Sequence, residues 1–289
     1  MSDEESFNEE LLTYLLWLVR RHERARFPGQ PQRRLFEDPL MAVAWARDPM
    51  FQSFKEIIGP FHQTPEEIFR EAFPHRVGKA ELFVVCYALP IDGATRAANR
   101  RKHRYPHRDW MLTKIHGEIF NEWLRGEMAR WITQKGYSAV APVLQTTFLQ
   151  FPLLDGDITS NWSERHACYV AGLGTFGLSR GLITRAGVAV RLGTVVTDLP
   201  LRPTPRDYGS VHSYCLFLTR GECGVCIHRC PAGAITQTGM DKMKCQAHQL
   251  DALRRRGPAL GLGLQVTGHH LSCGLCQTGV PCEARNPGK

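Results

Sequence analysis

Cys223-Gly-Val-Cys226-Ile-His-Arg-Cys230-Pro231-Ala-Gly-Ala-Ile235 is the stretch on which the reading of this chain turns. A C-x-x-C places two sulfurs on one tight turn, where a single metal centre takes both. The C-x3-C-P that follows is a spacing in which the Cys before Pro serves the other of two clusters. Proline needs no amide partner, and Ala-Gly-Ala-Ile reads as a short helix start beneath the metal. Farther on stand Cys273-Gly-Leu-Cys276 and then Cys282, so eight of the ten cysteines fall between Cys215 and Cys282. Eight thiols make two sets of four, the requirement of two 4Fe–4S clusters. A full run would carry a further Cys three positions before Cys223, but Arg220 stands there. Cys215 is the nearest substitute. His212 and His228 border the motif, yet a thiolate suits iron better in charge and softness. The expected sets are Cys215, Cys223, Cys226 and Cys282 for one cluster, and Cys230, Cys245, Cys273 and Cys276 for the other. Zinc stays open as a rival, because paired C-x-x-C motifs with a long spacer also read as a zinc site. A disulfide framework is the weakest reading for a long chain that shows no secretory signal.

At 289 residues the chain has length for one large domain or two modest ones. A hydrophobic share of 43% and a charged share of 22% are ordinary for a water-soluble fold. The acidic start Met-Ser-Asp-Glu-Glu is unlike an export signal, and the apolar run Leu11 to Val19 is too short to span a bilayer. A cytoplasmic setting, where thiols stay reduced, is therefore expected. The formal charge of +8 permits a nucleic-acid partner without requiring one. Thiolate-ligated cubanes are anionic and would lower it.

Working outward, residues 7–26 carry Phe7, Leu11, Leu15 and Leu18 at helical spacing. The polar run 28–34 reads as a linker. Residues 38–58 read as a second helical region, and Thr64-Pro65-Glu66-Glu67 opens a third. Leu82 to Leu89 is a continuous apolar run suited to a buried strand, with Cys86 as a core residue. The basic run Arg100 to Arg108 reads as a solvated loop, with phosphate or RNA contact as the rival. Asp109 to Lys135 is one long helix, and Tyr137 to Leu144 a second buried strand. Ser163 or Ser160 caps a helix that ends at Gly172. Gly172, Gly174 and Gly177 follow that helix, whereas a dinucleotide fingerprint follows a strand, so a Rossmann site is not expected. Leu182-Ile-Thr and Val188 to Thr197 read as a hairpin through Ala186-Gly187.

The order of parts resembles the epoxyqueuosine reductase and reductive dehalogenase superfamily over roughly residues 78–289. A strand, a long helix, Ala171-Gly-Leu-Gly174, a strand ending Val195-Val-Thr-Asp-Leu-Pro, the C-P-A-G-A-I run and a second C-x-x-C carry the resemblance. It implies an α/β (α+β) fold in which a nitroreductase-like cobalamin domain precedes a ferredoxin-like domain with two 4Fe–4S clusters. The expected division is 1–77 as an N-terminal helical region, 78–212 as the cobalamin domain and 213–289 as the cluster domain. In that family the clusters pass electrons singly to the corrinoid cobalt. Ala171, Gly172, Leu173 and Gly174 would belong to the cobalamin-contacting loop. A proton-donating acid lies shortly before that loop in the epoxyqueuosine enzymes, where this chain reads Asp157-Ile-Thr-Ser-Asn161.

Arg165, His166 and Tyr169 sit on the helix ahead of the Gly loop, 165 and 169 sharing a face. His166 is the candidate proton carrier, Tyr169 a phenolic donor and Arg165 an anion anchor. Cys168 reads as packing. Two function classes follow: a cobalamin-dependent iron–sulfur reductase, or a cofactor-free electron-transfer or reductive-activation protein. A zinc-stabilised RNA-binding module is a third, more distant one. A ferredoxin- or flavodoxin-type electron donor is expected, with a small-molecule or RNA-borne substrate and no membrane association.

Overall fold

The computed structural model describes residues 3–76, 78, 80–152, 158–261 and 273–288. Helix α1 (Asp3–Arg21) buries Leu11, Leu15, Leu18 and Val19 on one face. The run expected to be a linker is instead half of a small hairpin, β1 (Arg26–Phe27) with β2 (Gln30–Arg34). Residues 38–58 are not one helix. Leu40–Trp45 forms strand β3, and only Pro49–Ile57 is helical, as α2. An unbroken apolar run lacks the polar face that separates helix from buried strand, and pairing with a neighbour decides. Asp48 caps α2 by accepting from the Met50 amide. Helix α3 (Pro65–Ala72) opens as expected, with a Thr64–Glu67 capping box.

Strand β4 (Phe83–Pro90) is buried along its whole length. It lies between β3 and the later strand β10 in an antiparallel sheet of order β3-β4-β10-β5. Strand periodicity sends Phe83, Val85, Tyr87 and Leu89 into one core with α1, and Val84, Cys86 and Ala88 into another with α2 and α3. The result is a three-layer sandwich of helices on both faces. The first 77 residues are therefore not a separate helical region, because β3 supplies an edge of this sheet.

Helix α4 (Gly93–Arg100) leads to α5 (Arg108–Gln134), the expected long helix, whose Trp110, Phe120, Leu124 and Met128 pack on the first core. Strand β5 is only Ala139–Val140, far shorter than expected, because Pro142 starts a 3-10 turn. After the pair β6 (Gln150–Pro152) and β7 (Ile158–Ser160) comes α6 (Glu164–Val170). The expected hairpin does not form. Strand β9 (Leu182–Thr184) pairs with β8 (Gly174–Phe176), while β10 (Val190–Thr197) pairs with β4 and β5. Gly193 faces Tyr87 in that register, and a Cβ there would lie 2.1 Å from the Tyr87 ring.

The C-terminal segment carries α7 (Leu216–Arg220), α8 (Val225–His228), the β11 (Ile235–Thr236) and β12 (Gly239–Met240) hairpin, and α9 (Lys242–Arg256). It docks back on the sandwich: the Val188 amide donates to the Cys282 carbonyl at 2.8 Å, and Arg100 pairs with buried Glu283 at 2.7 Å. Tyr105 stacks on His248 and donates to Asp251, and Arg229 donates to the Lys102 carbonyl. The basic run is thus partly a strap holding α8 and α9. No helix among the described residues is long and apolar enough to cross a membrane.

Candidate cofactor site

Both C-x-x-C turns are built alike. Gly224 follows Cys223 with φ of +85°, and Gly274 follows Cys273 with φ of +63°. That left-handed step favours Gly and turns the chain directly into one helical turn that carries the second Cys. Gly274 is doubly constrained, since a Cβ there would meet the Trp110 ring at 2.0 Å.

The thiols divide into two groups. Cys215, Cys223, Cys226 and Cys282 line one small pocket with Leu178, Tyr214 and Phe217. Cys230, Cys245, Cys273 and Cys276 share the wall of a larger cavity of ≈ 480 Å³. The two linings have the same members as the two sets named from the sequence. Burial, with a contribution from neighbouring thiols, pushes the Cys226 thiol up to about 11 and those of Cys273 and Cys282 to about 12. Such thiols ionise when a cation draws the proton off. The Ala234 amide donates to Cys230 Sγ at 3.3 Å and Gln249 Nε2 to Cys245 Sγ at 3.1 Å, contacts of the kind that tune an iron–sulfur centre. Among the described residues no three His, Cys, Asp or Glu side chains converge closely enough to hold a single ion. The thiols of each group share a wall without closing on one point. His212 Nδ1 is engaged by the Phe176 carbonyl, and His228 is exposed; neither lines a thiol pocket. Cys86 and Cys168 lie in the second core, as expected.

Opposite the Cys230 group, the cavity floor is a buried ion network. Arg125, 2% exposed, donates to both Glu164 oxygens at 2.6 and 2.8 Å, and to Glu118 Oε1 at 3.2 Å. Glu164 also accepts from the Thr194 amide at 3.0 Å, which ties α6 to β10. Burial works against the Glu118 charge, but Arg191, Arg125 and Lys114 together hold its carboxyl at about 2. Burial pushes Glu164 up, against the pull of Arg125. The bidentate contact at 2.6 and 2.8 Å is that of an ion pair. Lys114 and Arg191 line the same floor.

The expected catalytic trio is split by the fold. Arg165 reaches the cavity, where it donates to the Arg180 carbonyl at 2.8 Å. Arg180 itself sits at φ of +56°, sparsely populated for a residue with a side chain. His166 turns to the core between Phe54 and Phe176, bonded to Ser163 Oγ at 2.7 Å. Burial, helped by Arg165, His62 and Lys242, lowers its pKa to about 3. Tyr169 stacks on Tyr208, whose hydroxyl donates to the Tyr169 carbonyl. Ala171, Gly172, Leu173 and Gly174 are absent from the cavity lining. A Cβ on Gly174 would lie 2.1 Å from the Ile183 carbonyl, so the close approach is to the chain's own strand β9. Asp157 lies outside the described residues.

The sequence reading missed Lys114, Glu118, Arg125 and Arg191. A signal was present: positions 114, 118, 121 and 125 form one stripe of α5, polar on a helix otherwise apolar toward the sheet.

A mixed α/β body and a thiol-rich segment thus share one cavity. No family model matches the chain. Over 112 residues, 38% of its length, it is 31% identical to an epoxyqueuosine reductase from Leadbetterella byssophila. The match spans 34% of that protein, so this chain covers about a third of its relative. Epoxyqueuosine reductase from Bacillus subtilis superposes with a TM-score of 0.48 at 15% identity, covering 97% of this chain and 66% of that one. The catabolic reductive dehalogenase NpRdhA with 3-bromo-4-hydroxybenzoic acid gives 0.49 at 17%, covering 96% and 36%. The sequence likeness is thus to an epoxyqueuosine reductase, over part of each chain.

Proposed function

We propose that the chain is an iron–sulfur, cobalamin-dependent reductase. The observation that carries this reading is the position of Cys230, Cys245, Cys273 and Cys276 on the wall of the same cavity whose floor is the Arg125 ion network. The other thiol group includes exposed Cys223 and lines a separate pocket that shares none of the Arg125 network. A low-potential donor of ferredoxin or flavodoxin type would therefore deliver electrons at the Cys223 side. They would leave for the cavity from the Cys230 side.

The donor set of the cavity fits a corrinoid. Arg191 Nε and His248 Nε2 are buried without hydrogen-bond partners, and both residues line it. The amide arms of a corrin offer carbonyl acceptors to such groups. When bound, a corrinoid supplies a cobalt centre that takes up single electrons and reduces a substrate at its open face. The chain's own part is to hold and to exclude. Arg125 clamps α5 to α6, Arg165 and Arg180 form a cationic rim, and Trp162 and Leu192 give the cavity apolar sides. Within this reading His166 and Tyr169 support α6 from the core side, and Ala171 to Gly174 set the β8–β9 pair below it.

The test is analytical. Protein purified without oxygen should contain about eight irons and matching sulfide, two cubanes. After incubation with hydroxocobalamin and desalting it should keep a corrinoid spectrum. Zinc alone would overturn the cluster assignment. Eight irons with no retained corrinoid would favour a cofactor-free electron-transfer protein.

A further inference from the structure

The lining of the cavity carries more cationic than anionic side chains among the described residues. Arg125 is saturated by Glu118 and Glu164. Arg191 Nε reaches no acceptor, its nearest carboxylate oxygen being Glu118 Oε2 at 3.8 Å. Lys114, 8% exposed, makes no hydrogen bond or ion pair among the described residues, although it lines the cavity. Arg191 Nε, buried without an acceptor, is costly, because its N–H has surrendered water and gained nothing. Proteins hold such groups where a ligand completes them.

We propose that Lys114 and Arg191 form an anion subsite that takes a carboxylate or phosphate group of the molecule reduced in this cavity. Arg191 offers a planar donor and Lys114 a point charge, and both face the enclosed space in which an anion would lose water. The charges that share the cavity lining with Lys114 come from several elements. Glu118, Glu122 and Arg125 lie on its own helix, Arg191 on β10, Glu164 and Arg165 on α6, and Lys242 on α9, with Arg180 between β8 and β9. Cations outnumber carboxylates among these described residues, and Lys114 is the one buried amine in the set. Burial first, then Arg191, holds the Lys114 pKa well below its usual value, while Glu118 pulls it back up and Arg125 lowers it further. An arriving anion would raise that pKa and draw protons from solution wherever the amine had lost them. The subsite rests on the cavity alone and survives failure of the corrinoid assignment.

The experiment is calorimetric titration of the anaerobically purified chain at pH 7 with sodium phosphate, acetate and benzoate. It is run in two buffers of different ionisation enthalpy, with methylammonium and neutral benzamide as cationic and neutral controls. Saturable binding of at least one anion is expected, with net proton uptake and no binding of the controls. Lys114→Met should weaken binding roughly tenfold or more and abolish the proton uptake. Lys114→Arg should keep the binding and lose the uptake, and Arg191→Gln should weaken binding while keeping it. Failure of all three anions to bind would overturn the proposal, as would binding unchanged in a folded Lys114→Met variant. If that variant does not fold, proton uptake persisting in Lys114→Arg would overturn it. A corrinoid's own phosphodiester is the other source of the same chemistry. Lys114→Met weakening cobalamin but not cobinamide, with no small anion bound, would assign the site to the cofactor and overturn its assignment to the substrate.

Discussion

Arg125 shows why a buried charge is kept. Its guanidinium holds two carboxylates from different helices, and removing it leaves both uncompensated in the interior. Arg125→Met should therefore cost about 3–5 kcal/mol, read as a lower denaturation midpoint. A loss no larger than that of an exposed arginine such as Arg130 would show the network to be wet. His166 and His62 give a pH signature. Burial lowers them to about 3 and about 4 in the folded chain, below the ordinary value of ~6.5. The unfolded chain then binds more protons between those values, so stability is full above ~6.5 and falls as pH drops below it. His166→Phe should flatten the slope of denaturation midpoint against pH between 6.5 and 4. An unchanged slope would place its titration elsewhere. At this scale the turns at Cys223–Cys226 and Cys273–Cys276 were legible, because C-x-x-C spacing fixes which sulfurs share a turn. The orientation of His166 was not. Positions 165, 166 and 169 share neighbouring faces of one helix turn, and only packing against Phe54 and Phe176 decides which face looks inward.

Among elements, β10 is the strand on which the two halves of the site meet. It brings Arg191 to the cavity, Thr194 to Glu164 and Gly193 to Tyr87. Gly193→Ala forces a methyl into the Tyr87 ring and should cost about 1–3 kcal/mol. The cost should shrink in a Tyr87→Ala background, as contacting residues couple. Equal costs in both backgrounds would mean the strand shifts freely. Strand β4 and helix α5 were readable because length and period agree with their final state. Strand β3 was not, since Leu-Met-Ala-Val-Ala-Trp suits either a buried helix or a strand until β4 lies beside it. The same holds for β10, whose hairpin signal at Ala186-Gly187 marks a real turn but not its partner strand.

At the scale of the molecule, the two thiol groups make separable predictions. Cys276→Ser should leave about four irons of eight, with the remaining cluster still reducible but no electrons reaching the cavity. Cys226→Ser should also leave about four and block entry from an external donor. Iron counts and the fraction reduced by dithionite would check both, and loss of all iron from either variant would show one cooperative site. The C-x-x-C turns were visible in the sequence, whereas the meeting of the Cys230 group with α5 and β10 was not. That meeting depends on the strap formed by Arg100, Tyr105 and Glu283, which spans more than a hundred residues of chain.

The hydrogen bond from Val188 to Cys282 has a consequence for assembly. Cys215 and Cys282 flank nearly the whole tail, and the second of them is sewn to the turn that launches β10. Loading metal there would close a large ring against the sandwich and lower the conformational entropy left to the loaded tail. Apoprotein should thus be cut by trypsin in the tail long before the sandwich yields, and reconstitution should protect both together.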